Sequence, residues 1–341
     1  MISFESDYIN GACENVLNRI IETNAETHTG YMCDDLCASA REKIKKACGT
    51  EDIDIYFAVG GTQANALVTG SVLSNCEGVI AADTGHISLH EGGAIEFTGH
   101  KVIELPGVNG KMKADTLRNY LETFYNDENH DKMVYPGMLY ISHPTEYGTL
   151  YTKKELTELK ELCVKYGMKL YLDGARLGYG LMAPGTDVTL NDLCSLCDIF
   201  YIGGTKVGAL CGEAVVFTKG QIPKYFNTVA RQRGAMVAKG RLLGAQFDAL
   251  FTDDTYFKIS AHAIEMAMKI RKLFEDKGYR IFIDSPTNQQ FVVLENSFME
   301  SIRGKVGFCF WEKYDETHTV VRFASSWSTK EEDITYLEGL L

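Results

Sequence analysis

Three short segments bring together residue types that do chemistry. Gly60-Gly61-Thr62-Gln63-Ala64-Asn65 lies where a strand pattern turns into a helical one. Glycines there let backbone amides approach an anion, the start of a helix favours negative charge, and the Thr62 hydroxyl adds a donor. That suits a phosphate monoester, and it matches neither the dinucleotide-binding nor the P-loop spacing. Asp173-Gly174-Ala175-Arg176 follows the apolar segment Lys169–Leu172. An acid at the carboxyl end of a parallel strand lies on the ligand-binding edge of an α/β sheet. There it can keep a pyridine nitrogen protonated and turn the ring into an electron sink. Gly203-Gly204-Thr205-Lys206-Val207-Gly208 follows another buried strand pattern. Its glycines leave room for a bulky adduct, and a neutral lysine amine forms an imine with an aldehyde. Burial and nearby positive charge would lower the lysine pKa. Singly, each segment also reads as ordinary structure: a Gly-Gly turn, an Asp cap, a surface-loop lysine. In this order, phosphate cradle, acid and lysine are what a pyridoxal 5'-phosphate (PLP) site demands.

The elements that must position these residues alternate in type. Strand patterns at Asp54–Val59, Gly78–Ala82, Met138–Ser142, Lys169–Leu172, Asp198–Ile202 and Glu213–Phe217 are separated by helical patterns, notably Lys153–Tyr166. Such alternation predicts parallel strands with crossover helices. The tail differs. A long amphipathic helix is expected over Phe257–Lys277, then strands at Gln290–Leu294, Val306–Trp311 and Thr319–Ala324. A last helix is expected from Lys330, with Ser328 or Thr329 as N-cap. The reading is a large α/β domain with a mostly parallel sheet flanked by helices, residues 1–245, and a smaller C-terminal α+β domain, residues 246–341. The first ~50 residues are expected to pack across both.

Composition narrows the function classes. The 341 residues are 45% hydrophobic and 23% charged, an ordinary globular balance. A net charge of -12 argues against nucleic acid as a partner. The polar, acidic start has no apolar leader pattern, and the apolar runs are too short to span a bilayer. The 10 cysteines form no evenly spaced framework. A cytoplasmic protein without metal or membrane partner is expected, with Cys194 and Cys197 read as buried thiols.

At these residues the sequence resembles the fold-type I PLP enzymes, and within them the threonine aldolase and β-eliminating lyase family. The resemblance runs over nearly the whole chain. Ser6-Asp7, Tyr31 to Asp35, Thr84-Gly85-His86 with Glu91-Gly92-Gly93-Ala94, Leu172-Asp173-Gly174-Ala175-Arg176-Leu177, and Arg322-Phe323 with Ser326-Trp327 carry it. The resemblance implies that Lys206 holds the cofactor aldehyde, Asp173 pairs with the pyridinium nitrogen and His86 stacks on the ring. It implies cofactor contacts from Gly61, Thr62, Thr205 and Arg176, and a substrate-carboxylate site made by Ser6, Arg176 and Arg322. Arginine suits that task because its planar fork matches a carboxylate. The implied activity is cleavage of L-threonine or L-allo-threonine to glycine and an aldehyde. The alternative is β-elimination, racemisation or transamination on the same frame. A homodimer or homotetramer is implied, with Tyr31 reaching the neighbouring subunit.

Two departures stand out. Many family aldolases carry a histidine in the segment here written Ser142-His143-Pro144-Thr145-Glu146-Tyr147-Gly148, and Thr145 occupies its register. The group acting on the β-hydroxyl is therefore open among His143, Glu146 and His86. Near Ala238 many members carry an arginine that reaches the neighbour's phosphate, and the place is open between Lys239 and Arg241 in this chain.

Overall fold

The structure is a computed structural model and describes residues 2–341. Its first strand, β1 (Ile2–Ser3), belongs to the far end of the chain and is taken up below. Seven strands form the main sheet: β2 (Ile53–Ala58), β3 (Glu77–Ala82), β4 (Val102–Leu105), β5 (Tyr135–Ser142), β6 (Lys169–Asp173), β7 (Ile199–Gly203) and β8 (Glu213–Thr218), in the order β2-β8-β7-β6-β5-β3-β4. β7 and β8 are buried along their whole length, as strands covered on both faces must be, and so read as continuous apolar runs rather than alternation. The parallel pairs β4–β3, β3–β5, β5–β6 and β6–β7 align their carboxyl ends. Helices make the crossovers. Lys153–Lys165 is opened by a capping box between Thr152 and Glu155.

β8 runs against both of its neighbours. Its first residue therefore lies at the edge where the parallel strands end. Glu213 is registered with Ala58, the last residue of β2, and with Gly203, the last residue of β7. A chain-order pattern of strands and helices does not reveal this reversal, because strand periodicity is blind to direction.

The tail forms an antiparallel sheet in the order β12-β13-β10-β9, from β9 (Arg280–Ile281), β10 (Gln289–Glu295), β12 (Cys309–Lys313) and β13 (His318–Ala324). β11 (Val306–Gly307) pairs instead with β1, in parallel. The single strand expected over Val306–Trp311 is thus two strands with different partners. The short edge strand β4 was not anticipated; its four residues, followed by Pro106, carry too little pattern. The last helix spans Glu331–Glu338 and its N-cap is Lys330, not Ser328 or Thr329. The Thr329 hydroxyl accepts from the Ser326 N–H at 2.9 Å, turned back into the preceding loop.

The N-terminal segment crosses from one sheet to the other. The Ala324 N–H donates to the Phe4 carbonyl at 2.8 Å and the Cys13 N–H to the Gly208 carbonyl at 2.9 Å. Helices Glu14–Thr23 and Asp35–Cys48 then pack on Arg241–Leu250 of the large core. Among the described residues, no helix is long and apolar enough to cross a membrane.

Candidate active site

At the carboxyl edge of β5, β6 and β7 lies a cavity of about 200 Å³. Gly60, Gly61, Thr62, His86, Glu146, Asp173, Arg176, Thr205, Lys206 and Glu213 all line it. The sheet topology therefore brings the three sequence segments to one place, together with His86.

Helix Gly61–Val72 points its start at this cavity, and Gly60 caps it without a side-chain hydrogen bond. Its first N–H groups are the unsatisfied donors every helix start carries. A Cβ at Gly60 would project into open space, while one at Gly61 would come within 3.0 Å of the Tyr201 hydroxyl. The cradle is narrow at the second glycine.

Asp173 is the most heavily bonded side chain of the floor. Its Oδ1 accepts from the Tyr201 hydroxyl and, at 3.0 Å, from the Ala175 N–H. Its Oδ2 accepts from the Tyr140 hydroxyl at 2.6 Å and the Asn65 amide at 3.2 Å. Burial opposes its ionisation, but His86 and the tyrosine hydroxyls outweigh burial and hold its pKa below the ordinary value. Asn65 also donates to Glu91 Oε1 at 2.7 Å and accepts from Tyr171 at 2.7 Å. Glu91 in turn holds His86 Nδ1 at 2.9 Å. The sequence offered no sign of Asn65, Tyr140, Tyr171 or Tyr201 as part of this network. They lie on three strands and a helix whose inward faces only the fold reveals.

Lys206 is half-buried, with its Nζ 5.9 Å from the Tyr8 ring centroid. Desolvation and then the Arg176 guanidinium lower its pKa, against Asp7, Asp173 and Glu213. This favours the neutral amine that imine chemistry needs. Thr205 Oγ1 accepts from the Gly212 N–H at 3.0 Å.

The mouth is assembled from distant parts of the chain. Arg176 Nε and Nη2 donate to the two Asp7 oxygens at 2.6 and 3.0 Å. Asn288 donates to the same carboxylate at 2.9 Å. Burial acts against the Asp7 charge, but Arg176, Lys206 and Arg322 overcome it and lower its pKa to about 2. Arg322 donates through Nη1 to Gln289 and through Nη2 to the Glu5 carbonyl, both at 3.0 Å. Its Nε is buried without a hydrogen-bond partner. Ser6 is buried beside Asp7, with Oγ 3.5 Å from Oδ1. Two guanidinium groups, Arg176 and Arg322, thus act on a single carboxylate. Asp7 was absent from the expected site, although it is the partner that orients Arg176.

The open choice around β5 is narrowed by geometry. His143 is fully buried, its Nδ1 accepts from the Tyr151 N–H at 3.3 Å, and it does not line the cavity. Burial, with Lys111 next, pushes its pKa down to about 4. Glu146 lines the cavity, with Oε1 accepting from Ser142 Oγ at 2.6 Å and from the His86 N–H at 3.0 Å. Burial raises its pKa against the Ser142 hydrogen bond. Arg241 is committed elsewhere: it donates to the backbone carbonyls of Thr23, Asn24 and Glu26 at 2.9 Å. Tyr31 is exposed on the surface, stacked under Arg231 at 4.5 Å.

A helix start with free donors, a buried carboxylate held in its charged form and a lysine with a lowered pKa fit PLP in this one cavity. Gly61 and Thr62 would hold the phosphate, Asp173 the ring nitrogen and Lys206 the aldehyde carbon.

Comparison with known proteins agrees. Residues 3–297 match the family model described as beta-eliminating lyase. The chain is 28% identical over 331 residues to the low specificity L-threonine aldolase of Pseudomonas sp. (strain NCIMB 10558), covering 96% of this chain and 93% of that one. It is similar to the solved structure of Leishmania major threonine aldolase, with 38% identity, a TM-score of 0.95 and coverage of 100% and 98%. A Thermus thermophilus aspartate aminotransferase double mutant shares the fold, at a TM-score of 0.71 and 16% identity over 100% and 92% of the two chains.

Proposed function

This chain belongs to the beta-eliminating lyase family as a PLP-dependent lyase, and on that premise we propose that it cleaves L-threonine and L-allo-threonine to glycine and acetaldehyde. The observation that carries the substrate class is the mouth. In a chain of net charge -12, two guanidinium groups, Arg176 and Arg322, act on the one Asp7 carboxylate. An α-carboxylate supplies the missing negative charge, and the unpartnered Arg322 Nε supplies a donor for it. Ser6 and the Arg176 nitrogen left free by Asp7 complete the clamp.

When bound, PLP supplies an electron sink for the bond broken at Cα. The chain's own residues do the rest. Asp173 would keep the ring nitrogen charged, His86 would cover the ring face, and Gly61, Thr62 and Thr205 would hold the phosphate end. The carboxylate clamp would orient the amino acid and so decide which Cα bond is presented for cleavage. Glu146 takes the β-hydroxyl proton as acetaldehyde leaves. Its raised pKa makes its carboxylate a stronger base than an ordinary one.

The working assembly is a homodimer or homotetramer in the cytoplasm. The chain divides into the large domain expected over 1–245 and the smaller one over 246–341. The large core continues past residue 245 to Tyr256, Ala263 and Ile264, so helix Thr255–Asp276 is the working junction.

The test is incubation of the holoenzyme with L-threonine, L-allo-threonine, L-serine and L-cysteine, with acetaldehyde, glycine and pyruvate assayed. Acetaldehyde and glycine in equal amounts support the aldolase. Pyruvate without acetaldehyde would move the function to β-elimination.

A further inference from the structure

A polar segment that the proposed chemistry does not use leads into β10. Ser285, Thr287, Asn288, Gln289 and Gln290 are all fully buried. Part of the segment is held by its own framework. Gln290 Nε2 donates to the Ser285 and Thr287 carbonyls at 3.2 and 2.8 Å, and the Ser325 N–H donates to the Asn288 carbonyl at 3.0 Å. Ser285 Oγ donates to the carbonyl of Gly148 at 3.3 Å, two residues after Glu146. The Asn288 and Gln289 side chains are spent differently. Asn288 Nδ2 donates to Asp7 Oδ2 and to the Ser325 carbonyl, both at 2.9 Å. Gln289 Oε1 accepts from Arg322 Nη1 at 3.0 Å. Chemistry fixes both amide orientations, because an ionised carboxylate only accepts and a guanidinium only donates. Each amide then keeps one buried atom without a partner among the described residues, Asn288 Oδ1 and Gln289 Nε2. Such atoms are rare because they oppose folding. Both side chains are therefore placed to serve their charged partners rather than their own satisfaction.

We propose that Asn288 and Gln289 are the positioning pair of the substrate-carboxylate clamp: Gln289 sets the Arg322 fork, and Asn288 sets Asp7 and through it the Arg176 fork. The other holds on Arg322 leave its fork free to turn. They are the Glu5 carbonyl at 3.0 Å and the Trp311 ring, whose centroid lies 5.6 Å from the guanidinium carbon. Gln289 is the one side-chain acceptor on Arg322 among the described residues, and it fixes that rotation. Because Asn288 and Gln289 are consecutive, one planar peptide unit sets the spacing between the two arms. The inference rests on the carboxylate clamp of the proposed function, but not on which Cα bond is broken.

The experiment titrates holoenzyme calorimetrically with glycine and with glycinamide, which lacks the carboxylate. Gln289→Met keeps the bulk of the side chain and loses the acceptor. It should weaken glycine binding about tenfold, the scale of one hydrogen bond to a charged group, and leave glycinamide binding unchanged. In an Arg322→Ala background the same substitution should add nothing, because Gln289 acts through Arg322. Asn288→Leu should likewise weaken glycine binding alone, and its effect should vanish in Asp7→Ala. A merely structural role predicts equal losses for both ligands and a further loss in the Arg322→Ala or Asp7→Ala background, and either result overturns the proposal. Where a variant does not fold, Gln289→Glu or Asn288→Asp takes its place. Each sets a second carboxylate on its arm of the clamp, and unchanged glycine affinity then overturns the proposal. Equal binding of glycine and glycinamide by the wild type would remove the clamp itself, and this inference with it. A wild type that prefers glycine while both variants match it would overturn this inference and leave the clamp standing.

Discussion

At the floor of the cavity, Asp173 takes its hydrogen bonds from residues 2, 28, 33 and 108 positions away, all within the one large core. At the mouth, Asp7 holds Arg176 across 169 positions and Asn288 across 281. The floor's donors come from β5, β7, one helix and the turn after β6, all of the same core. The mouth exists only when the N-terminal segment, the large sheet and the small sheet have docked. The difference separates what each region can do. On the proposed reading the floor sets the charge state of the cofactor, while the mouth orients the substrate by a charge balance that docking of distant segments creates.

Mutations break this contrast in a definite order. Lys206→Ala removes the floor's amine and should take threonine cleavage to background, with no borohydride-reducible attachment of PLP to the chain. Persistence of that attachment would show that another lysine holds the cofactor. Glu146→Gln should lower kcat for threonine by about 10²-fold or more, the usual scale for a lost general base. The α-proton exchange of glycine, followed by NMR, should survive, because it needs no β-hydroxyl chemistry. Equal losses in both reactions would return Glu146 to a purely positioning role.

Arg322→Lys keeps the charge of the mouth but loses the fork. It should raise KM for threonine by roughly tenfold or more, the scale of one charge-assisted hydrogen bond, with kcat less affected. A fall confined to kcat would place Arg322 at the reacting atoms instead. Asp7→Asn tests the mouth as a structural joint. The Asp7 pKa is lowered from 3.8 to about 2, so its contribution to stability is complete above about 4 and is lost as pH falls through about 2. In urea melts across that window, the wild type should lose its advantage over Asp7→Asn as the solution becomes more acid. A constant difference between the two proteins would mean that the charge on Asp7 does not hold the joint.

How much of this was legible in the chain follows from the range of each signal. The strand ends before Gly60, Asp173 and Lys206 were readable because a buried parallel strand is a continuous apolar run, and the residue that ends it stands out. The roles of His86, Ser6 and Arg322 came from family resemblance rather than from pattern. A lone histidine, serine or arginine carries no periodic mark. Val306–Trp311 was read as one strand because periodicity does not show where a partner changes. Lys330 was missed as a cap because the better capping residue, Thr329, is engaged with Ser326. Tyr140, Tyr171 and Tyr201 read as core aromatics, and their bodies are core; only their hydroxyls belong to the site.

By itself the sequence determined the class of fold and the cofactor, and it pointed to the lysine and acid proposed to serve it, because these depend on local runs and on the residues at their ends. The tertiary structure alone decided three further points. It turned β8 around and so brought Glu213 into the cavity. It buried His143 and left Glu146 in the cavity. It brought Asp7 from the start of the chain to Arg176. Each is a matter of strand direction, side-chain facing or long-range docking. Such features are fixed by packing many residues against one another, and no local window of sequence contains them.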